Sequence, residues 1–162
     1  MIFVSVGTEN FQFDRLLECI DKGIESRDIE GTVFAQTGCS GYRPRHYQFK
    51  DYIAYDEMVE NIELADIVIM HAGIGSTLLC LELGKVPILL PRMYEKNEHL
   101  DDHQLEFSKK FQTVKKAIVV YNEEELLFAI KNYHNLVNDI KNNKTSGVDR
   151  LRLDEHLTGL LG

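Results

Sequence analysis

Between Ala65 and Arg92 the sequence ADIVIMHAGIGSTLLCLELGKVPILLPR sets an apolar run, a histidine, a small glycine-rich turn and a leucine-rich stretch in direct succession. These residue types suit one kind of chemistry, the holding of a phosphate or diphosphate. Ala72, Gly73, Ile74 and Gly75 keep the backbone bare, and Ser76 or Thr77 is expected to cap a helix carrying Leu78, Leu79, Leu81 and Leu83 toward a stop at Gly84. The first amides of a helix have no internal partners and lie at the positive end of its dipole, which favours an anion by roughly 0.3–2 kcal/mol.

Other nucleotide and catalytic patterns are absent. Gly73-Ile-Gly75 opens like a dinucleotide fingerprint, but Leu78 stands where the third glycine belongs and Leu90-Pro91-Arg92 offers no acid for a ribose, which disfavours a dehydrogenase. The chain has no G-x-x-x-x-G-K-[ST] loop and no G-x-S-x-G elbow. His99 and His103 stand four apart with Asp101 and Asp102 between them, a spacing that lets two imidazoles meet one metal on a helix. No H-E-x-x-H glutamate and no third ligand cluster accompany them, so no metal site is expected and the pair reads as polar contacts.

The elements that must position these residues alternate along the chain. Strands are expected at Ile2–Val6, Thr32–Gln36, Phe49–Ala54, Ile67–Met70, Val86–Leu90 and Ala117–Tyr121. Helices are expected at Phe13–Ile24, Tyr55–Ala65, after the glycine turn, at Asp102–Phe111 and at Glu123–Tyr133. Such alternation implies right-handed crossovers, and so an α/β, doubly wound, Rossmann-like parallel sheet that binds ligands at the carboxyl ends of its strands. The expected organisation is one domain over residues 1–135 and a charged helical extension over 136–162. Lys141–Gly147 forms a break in that extension, and Leu151, Leu153, Leu157, Leu160 and Leu161 are set to pack on the body or on a partner.

Composition bounds the setting. With 162 residues, 44% hydrophobic and 27% charged, the chain is sized for one soluble domain. A net charge of -8 argues against wholesale binding to nucleic acid or an anionic membrane. The start MIFVSVG lacks the basic lead and length of a signal peptide, and a cytoplasmic location is expected. Cys19, Cys39 and Cys80 show no C-x-x-C spacing and are expected to be reduced structural thiols.

The series H-A-G-I-G-S-T, G-K-V-P-I-L-L-P-R and D-H-Q-L-E resembles the C-terminal, donor-binding domain of family 28 glycosyltransferases, the second half of a GT-B enzyme. With V-S-V-G-T-E and F-D-R-L near the start, the chain is most similar to small bacterial exopolysaccharide and capsule transferase subunits. It is also similar to the catalytic subunit of the eukaryotic two-subunit dolichol-linked N-acetylglucosaminyltransferase. The resemblance implies an inverting transferase that moves a hexose from a UDP-sugar to a lipid-linked saccharide in exopolysaccharide or capsule biosynthesis, without cofactor or metal. It also implies a membrane-attached, acceptor-binding partner subunit that holds the chain at the inner membrane face. Among donors, the capsule relatives point to galactose and a β-1,4 linkage. The rival reading is a non-catalytic enhancer of a partner transferase.

By resemblance, His71 matches a histidine that contacts the donor diphosphate, and Gly73, Gly75, Ser76 and Thr77 match the turn that holds it. An imidazole at a strand end can donate a hydrogen bond to the departing UDP, a role physically open to His71. His103 and Gln104 align with a pair that binds hydroxyls of the donor sugar, and Gly7 and Thr8 with a loop facing the diphosphate. Many relatives hold the ribose with a glutamate where this chain has Leu79. Glu82, one turn on, is expected on a different face of the helix. Arg43, Arg45 and Arg92 remain as phosphate or partner contacts, with exposed charge as the commoner explanation.

Overall fold

A computed structural model describes residues 1–142. Six strands form one all-parallel sheet: β1 Ile2–Ser5, β2 Val33–Gln36, β3 Gln48–Lys50, β4 Ile67–His71, β5 Ile88–Leu90 and β6 Ile118–Val119, in the spatial order β3-β2-β1-β4-β5-β6. The helices are α1 Asp14–Glu25, α2 Tyr55–Leu64, α3 Ile74–Glu82, α4 His103–Thr113, α5 Glu123–Lys131 and α6 Tyr133–Asn142, with a 3-10 turn at Tyr94–Lys96. The sheet is the doubly wound Rossmann-like one that the alternating pattern implies.

Successive strand residues serve opposite faces, and both faces are buried. Ile2, Val4, Ile69, Ile88 and Leu90 pack with Leu16, Leu17 and Ile20 of α1 and with Leu126, Ala129 and Ile130 of α5. Their neighbours Phe3, Val68, Met70 and Leu89 pack on the other face with Ile62 of α2, Cys80 of α3 and Phe107 and Phe111 of α4. Each fully buried side chain of this size contributes roughly 1.5–3 kcal/mol, so the two cores fix the strand register, Ser5 opposite Met70 and His71 opposite Leu90.

Chain order reverses between β1 and β4. The loops leaving these two adjacent strands therefore diverge, and a crevice opens at their carboxyl ends.

Several elements depart from the sequence expectation. β3 occupies Gln48–Lys50 instead of Phe49–Ala54, because Asp51 turns to other partners: its carbonyl accepts from Gly38 N at 2.8 Å and its Oδ1 accepts from Thr37 Oγ1 at 3.0 Å. The last expected helix divides at Asn132, whose side-chain amide donates to the Phe128 carbonyl at 2.9 Å. The anticipated boundary at 135/136 falls inside α6, whose Val137 belongs to the first core and whose Tyr133 hydroxyl donates to the Val86 carbonyl at 2.8 Å. The part of the expected extension from residue 143 onward, including its five leucines, lies outside the described residues.

Cys19 and Cys80 are buried free thiols, pushed up to about 11 and about 12 chiefly by desolvation. Cys39 corrects the expectation of a structural thiol, since it is exposed on the loop after β2.

Candidate functional site

The strand-turn-helix is built as a shelf. β4 runs one residue further than expected, to His71, and the chain enters α3 from Gly73 in an extended conformation. Gly73, and neither Ser76 nor Thr77, is the N-cap. The first intrahelical bond runs from Thr77 N to the Gly73 carbonyl at 3.0 Å, and Thr77 Oγ1 donates to the same carbonyl at 2.7 Å. Thr77 is thereby turned into the core, while the amides of Ile74, Gly75 and Ser76 precede the ladder and lack intrahelical partners. Gly75 is exposed, and a Cβ there would meet nothing within 4 Å, so the space above the first turn is open.

His71 lies beneath this shelf. It is only 4% exposed, and its Nδ1 sits 3.4 Å from the Ser5 carbonyl. A carbonyl can only accept, so Nδ1 carries the proton of a neutral ring and Nε2 keeps its lone pair. Burial, helped by the Arg92 charge, lowers the imidazole to about 4 and makes the neutral form the resident one at pH 7. The Nε2 edge abuts two glycines: an added Cβ would lie 2.3 Å from it at Gly73 and 2.6 Å at Gly7. Gly7 is also in the left-handed region at φ 81°. His71 thus meets the undersides of both turns.

The turn at Gly7 is itself braced. Ser5 Oγ donates to Gln36 Oε1 at 2.9 Å, and Gln36 Nε2 donates to the Gly7 carbonyl at 2.9 Å. Thr8, next along, is exposed.

Arg92 departs furthest from its expectation. Read from sequence as a phosphate or partner contact or, more commonly, as exposed charge, it is 0% exposed. Its Nη1 donates to the carbonyls of Phe11, Gln12 and Glu98 at 2.8, 3.1 and 3.1 Å, its Nη2 donates to the Val6 carbonyl, and the guanidinium lies 5.0 Å over the Phe13 ring. Arg15 adds a fork to Glu98 at 2.8 and 3.0 Å, and Gln12 Nε2 reaches the Asn97 carbonyl at 3.2 Å. These bonds stitch the loop after β1 to the loop after β5. Only the Pro-Arg step at the strand end hinted at a special arginine. Arg43 is an exposed partner of Asp51, and neither it nor Arg45 lines the cleft described next.

Beside the shelf opens a cleft of about 330 Å³ lined by Glu9, Ala72, Gly73, Ile74, His99, His103, Gln104 and Phe107. It joins the glycine turn to the pair singled out at 103–104, though the two differ in posture. His103 begins α4 with its side chain 78% exposed and Nδ1 3.0 Å from Asp101 Oδ2. Gln104 is buried, and its Oε1 accepts from Arg92 N at 3.1 Å, which leaves its NH₂ as the free donor. His99 was read with His103 as a polar contact rather than as a metal ligand. It bridges the mouth, with Nε2 2.6 Å from Glu9 Oε2, Nδ1 3.1 Å from Asp101 Oδ1, and its ring 5.2 Å from that of Phe11. Among the described residues, no group of three or more His, Cys, Asp or Glu gathers as metal ligands.

Leu79 and Glu82 border another groove, about 490 Å³, between α2 and α3, together with Tyr55, Asp56 and Val59. Glu82 thus shares a face with Leu79, against expectation, because residues three apart are neighbours on a helix surface. A further concavity of about 660 Å³ beside β6 and α5 contains none of the anticipated residues.

Residues 1–148 match the glycosyltransferase family 28 C-terminal domain. The chain is 34% identical over 119 residues to human UDP-N-acetylglucosamine transferase subunit ALG13, a stretch that covers 67% of this chain and 10% of that protein. It is 34% identical over 85 residues to the Candida albicans subunit of the same name, covering 52% and 25%. The chain therefore spans between a tenth and a quarter of these relatives' lengths. Two solved structures share the fold at 13% identity and TM-score 0.56: the kitacinnamycin glycotransferase, over 96% of this chain and 40% of that one, and the calicheamicin glycosyltransferase CalG4, over 99% and 43%.

Proposed function

The chain belongs to the glycosyltransferase family 28 C-terminal domain family, and from that premise we propose that it is the donor-binding, catalytic subunit of a two-component inverting glycosyltransferase. One observation carries the reading. The Gly7 and Gly73 turns close on His71 at the switch point, the first amides of α3 lack intrahelical partners beside an open Gly75, and the adjoining cleft presents His103 and the amide of Gln104.

A UDP-sugar fits this order of parts. Its diphosphate lies over Ile74, Gly75 and Ser76, with Gly7 and Thr8 facing it from the first loop, and its hexose extends into the cleft toward His103 and Gln104. An acceptor hydroxyl attacks the anomeric carbon from the opposite side, and the bond from that carbon to the diphosphate oxygen breaks. UDP departs with the electron pair. The helix amides stabilise the charge it gains, without a metal. Because His71 is neutral with its proton toward Ser5, its role is to support the two turns from below; it is a positioning residue for the diphosphate. The base that accepts the acceptor's proton is contributed by the partner, which is membrane-attached and binds a lipid-linked saccharide, placing the chain at the cytoplasmic membrane face. Among the described residues no helix is long and apolar enough to cross a membrane. N-acetylglucosamine is the sugar in the relatives' name, while galactose and a role in exopolysaccharide or capsule synthesis rest on the sequence resemblance alone.

Titration of UDP against the chain tests the reading by calorimetry. Saturable binding that Gly73→Ala abolishes supports it, and no UDP binding at all counts against it. Leu79, apolar where relatives grip the ribose, favours one rival, a non-catalytic enhancer of a partner transferase. Transfer by the reconstituted complex separates the two, because His103→Ala lowers it only if the donor sugar is held here.

A further inference from the structure

The groove of about 490 Å³ between α2 and α3 has an apolar floor. Both helices pack on the same face of the sheet, and Met58 and Ile62 turn the core stripe of α2 inward. Tyr55 and Val59, four apart on α2, stand off that core and line the groove, Tyr55 with 69% of its surface exposed. Leu79 and Leu83, also four apart, line the other side from α3 and its C-cap. Residues at this spacing are neighbours on a helix surface, so each helix contributes one apolar row.

The rim carries charge of one sign. Asp56, Glu60 and Glu63 of α2 and Glu82 of α3 line the groove, and no lysine, arginine or histidine does. Among the described residues none of these four side chains has a hydrogen-bond or ion-pair partner. Glu57, by contrast, pairs with Lys50 at 2.7 Å, and the Lys85 ammonium is engaged by the Ala65 carbonyl at 2.7 Å. Asp56, in the first turn of α2, suits the positive end of the helix dipole. Glu63 and Glu82 do not, because each lies in the last turn of its helix, at the negative end, with no basic residue in that turn. Asp56 and Glu60 also repel at the i,i+4 spacing. These charges weaken the two helices and point at one groove, where a cationic partner would compensate them.

We propose that this groove is the docking site for a basic amphipathic helix of another protein. The apolar stripe of that helix lies on Tyr55, Val59, Leu79 and Leu83, and its flanking lysines or arginines meet Glu60, Glu63 and Glu82, the helix-in-groove mode of recognition. The chain's own residues 148–161 fit poorly, since Asp149, Asp154 and Glu155 outnumber Arg150 and Arg152. A second copy, at net charge -8, fits no better. The inference is independent of the nucleotide-sugar reading.

Fluorescence anisotropy of the full chain with three labelled synthetic peptides of about four helical turns tests it. One carries a leucine stripe flanked by lysines, the second the same stripe flanked by glutamates, and the third lysines with serine in place of leucine. The first is expected to bind saturably, and the other two about tenfold more weakly or less well still. Glu60→Gln combined with Glu63→Gln removes two exposed ion pairs and is expected to weaken the first peptide about fivefold. Glu60→Lys combined with Glu63→Lys is expected to turn the preference toward the glutamate peptide, a result that loss of folding cannot imitate. Val59→Asp is expected to abolish saturable binding while circular dichroism shows the helix content kept. No saturable binding of the first peptide, equal binding of any two of the three, or a preference that the lysine substitutions leave in place overturns the proposal.

Discussion

At the scale of the residue, His71 and the two glycines above it form the tightest part of the site. The imidazole is held near 4 in the fold and returns to about 6.5 when the chain unfolds. The unfolded state therefore binds the proton first as pH falls, and stability drops between pH 6.5 and 4, levelling on either side. The loss is about 3 kcal/mol at most from this group, and His71→Gln should remove it. Urea midpoints measured at pH 7.5 and 4.5 check this; equal acid slopes in the two proteins would refute the assignment. Gly73→Ala drives a methyl to 2.3 Å from Nε2 in a packed interior, and overpacking of this kind costs about 1–3 kcal/mol. Thermal melting reads that cost, and titration reads the accompanying loss of UDP binding. The sequence made the glycines and the histidine visible as types. It did not make visible that the ring lies under the turns, because burial at a strand end is decided by the loops arriving from β1 and β5.

At the scale of the element, the alternation of strands and helices was legible because the central strands β1, β4 and β5 are buried on both faces and the helices between them carry apolar stripes, whereas the edge strand β3 is Gln-Phe-Lys with exposed ends. The boundaries that shifted did so for local reasons: Gly73 starts α3 ahead of the hydroxyl residues, and Asp51 draws the chain away from β3. What the pattern concealed was the tie between two loops 80 residues apart, since an arginine bonded to carbonyls looks in sequence like any surface arginine. Arg92→Met leaves the carbonyls of Val6, Phe11, Gln12 and Glu98 without their shared donor in a buried place, which costs on the order of 3–5 kcal/mol. Arg92→Lys recovers only part of this because an ammonium lacks the planar fork. Chemical denaturation of both variants gives the ranking, and a Lys variant as stable as the parent would contradict it.

At the scale of the whole molecule, the reversal of strand order between β1 and β4 opens a crevice at their carboxyl ends. The shared fold covers 40% and 43% of two solved glycosyltransferases, and the two-component reading proposed above assigns the opposing wall to a second protein. Such a chain is expected to bind UDP alone and to transfer sugar only with its partner. Steady-state transfer assays with and without co-expressed acceptor subunit measure this, and full turnover by the isolated chain would contradict it. Tyr133→Phe, remote from the crevice, removes the bond to Val86 and should cost about 1–2 kcal/mol in denaturation midpoints while leaving UDP affinity unchanged. The Arg92 stitch has one more consequence, for how the chain can vary. Surface loops are ordinarily where a fold absorbs inserted or deleted residues. Here the loops after β1 and β5 are pinned to each other at several carbonyls and one ion pair, so a change of length in either misaligns both. A scan of single-residue insertions along the chain should find these two exposed-looking stretches as intolerant as the strands they leave.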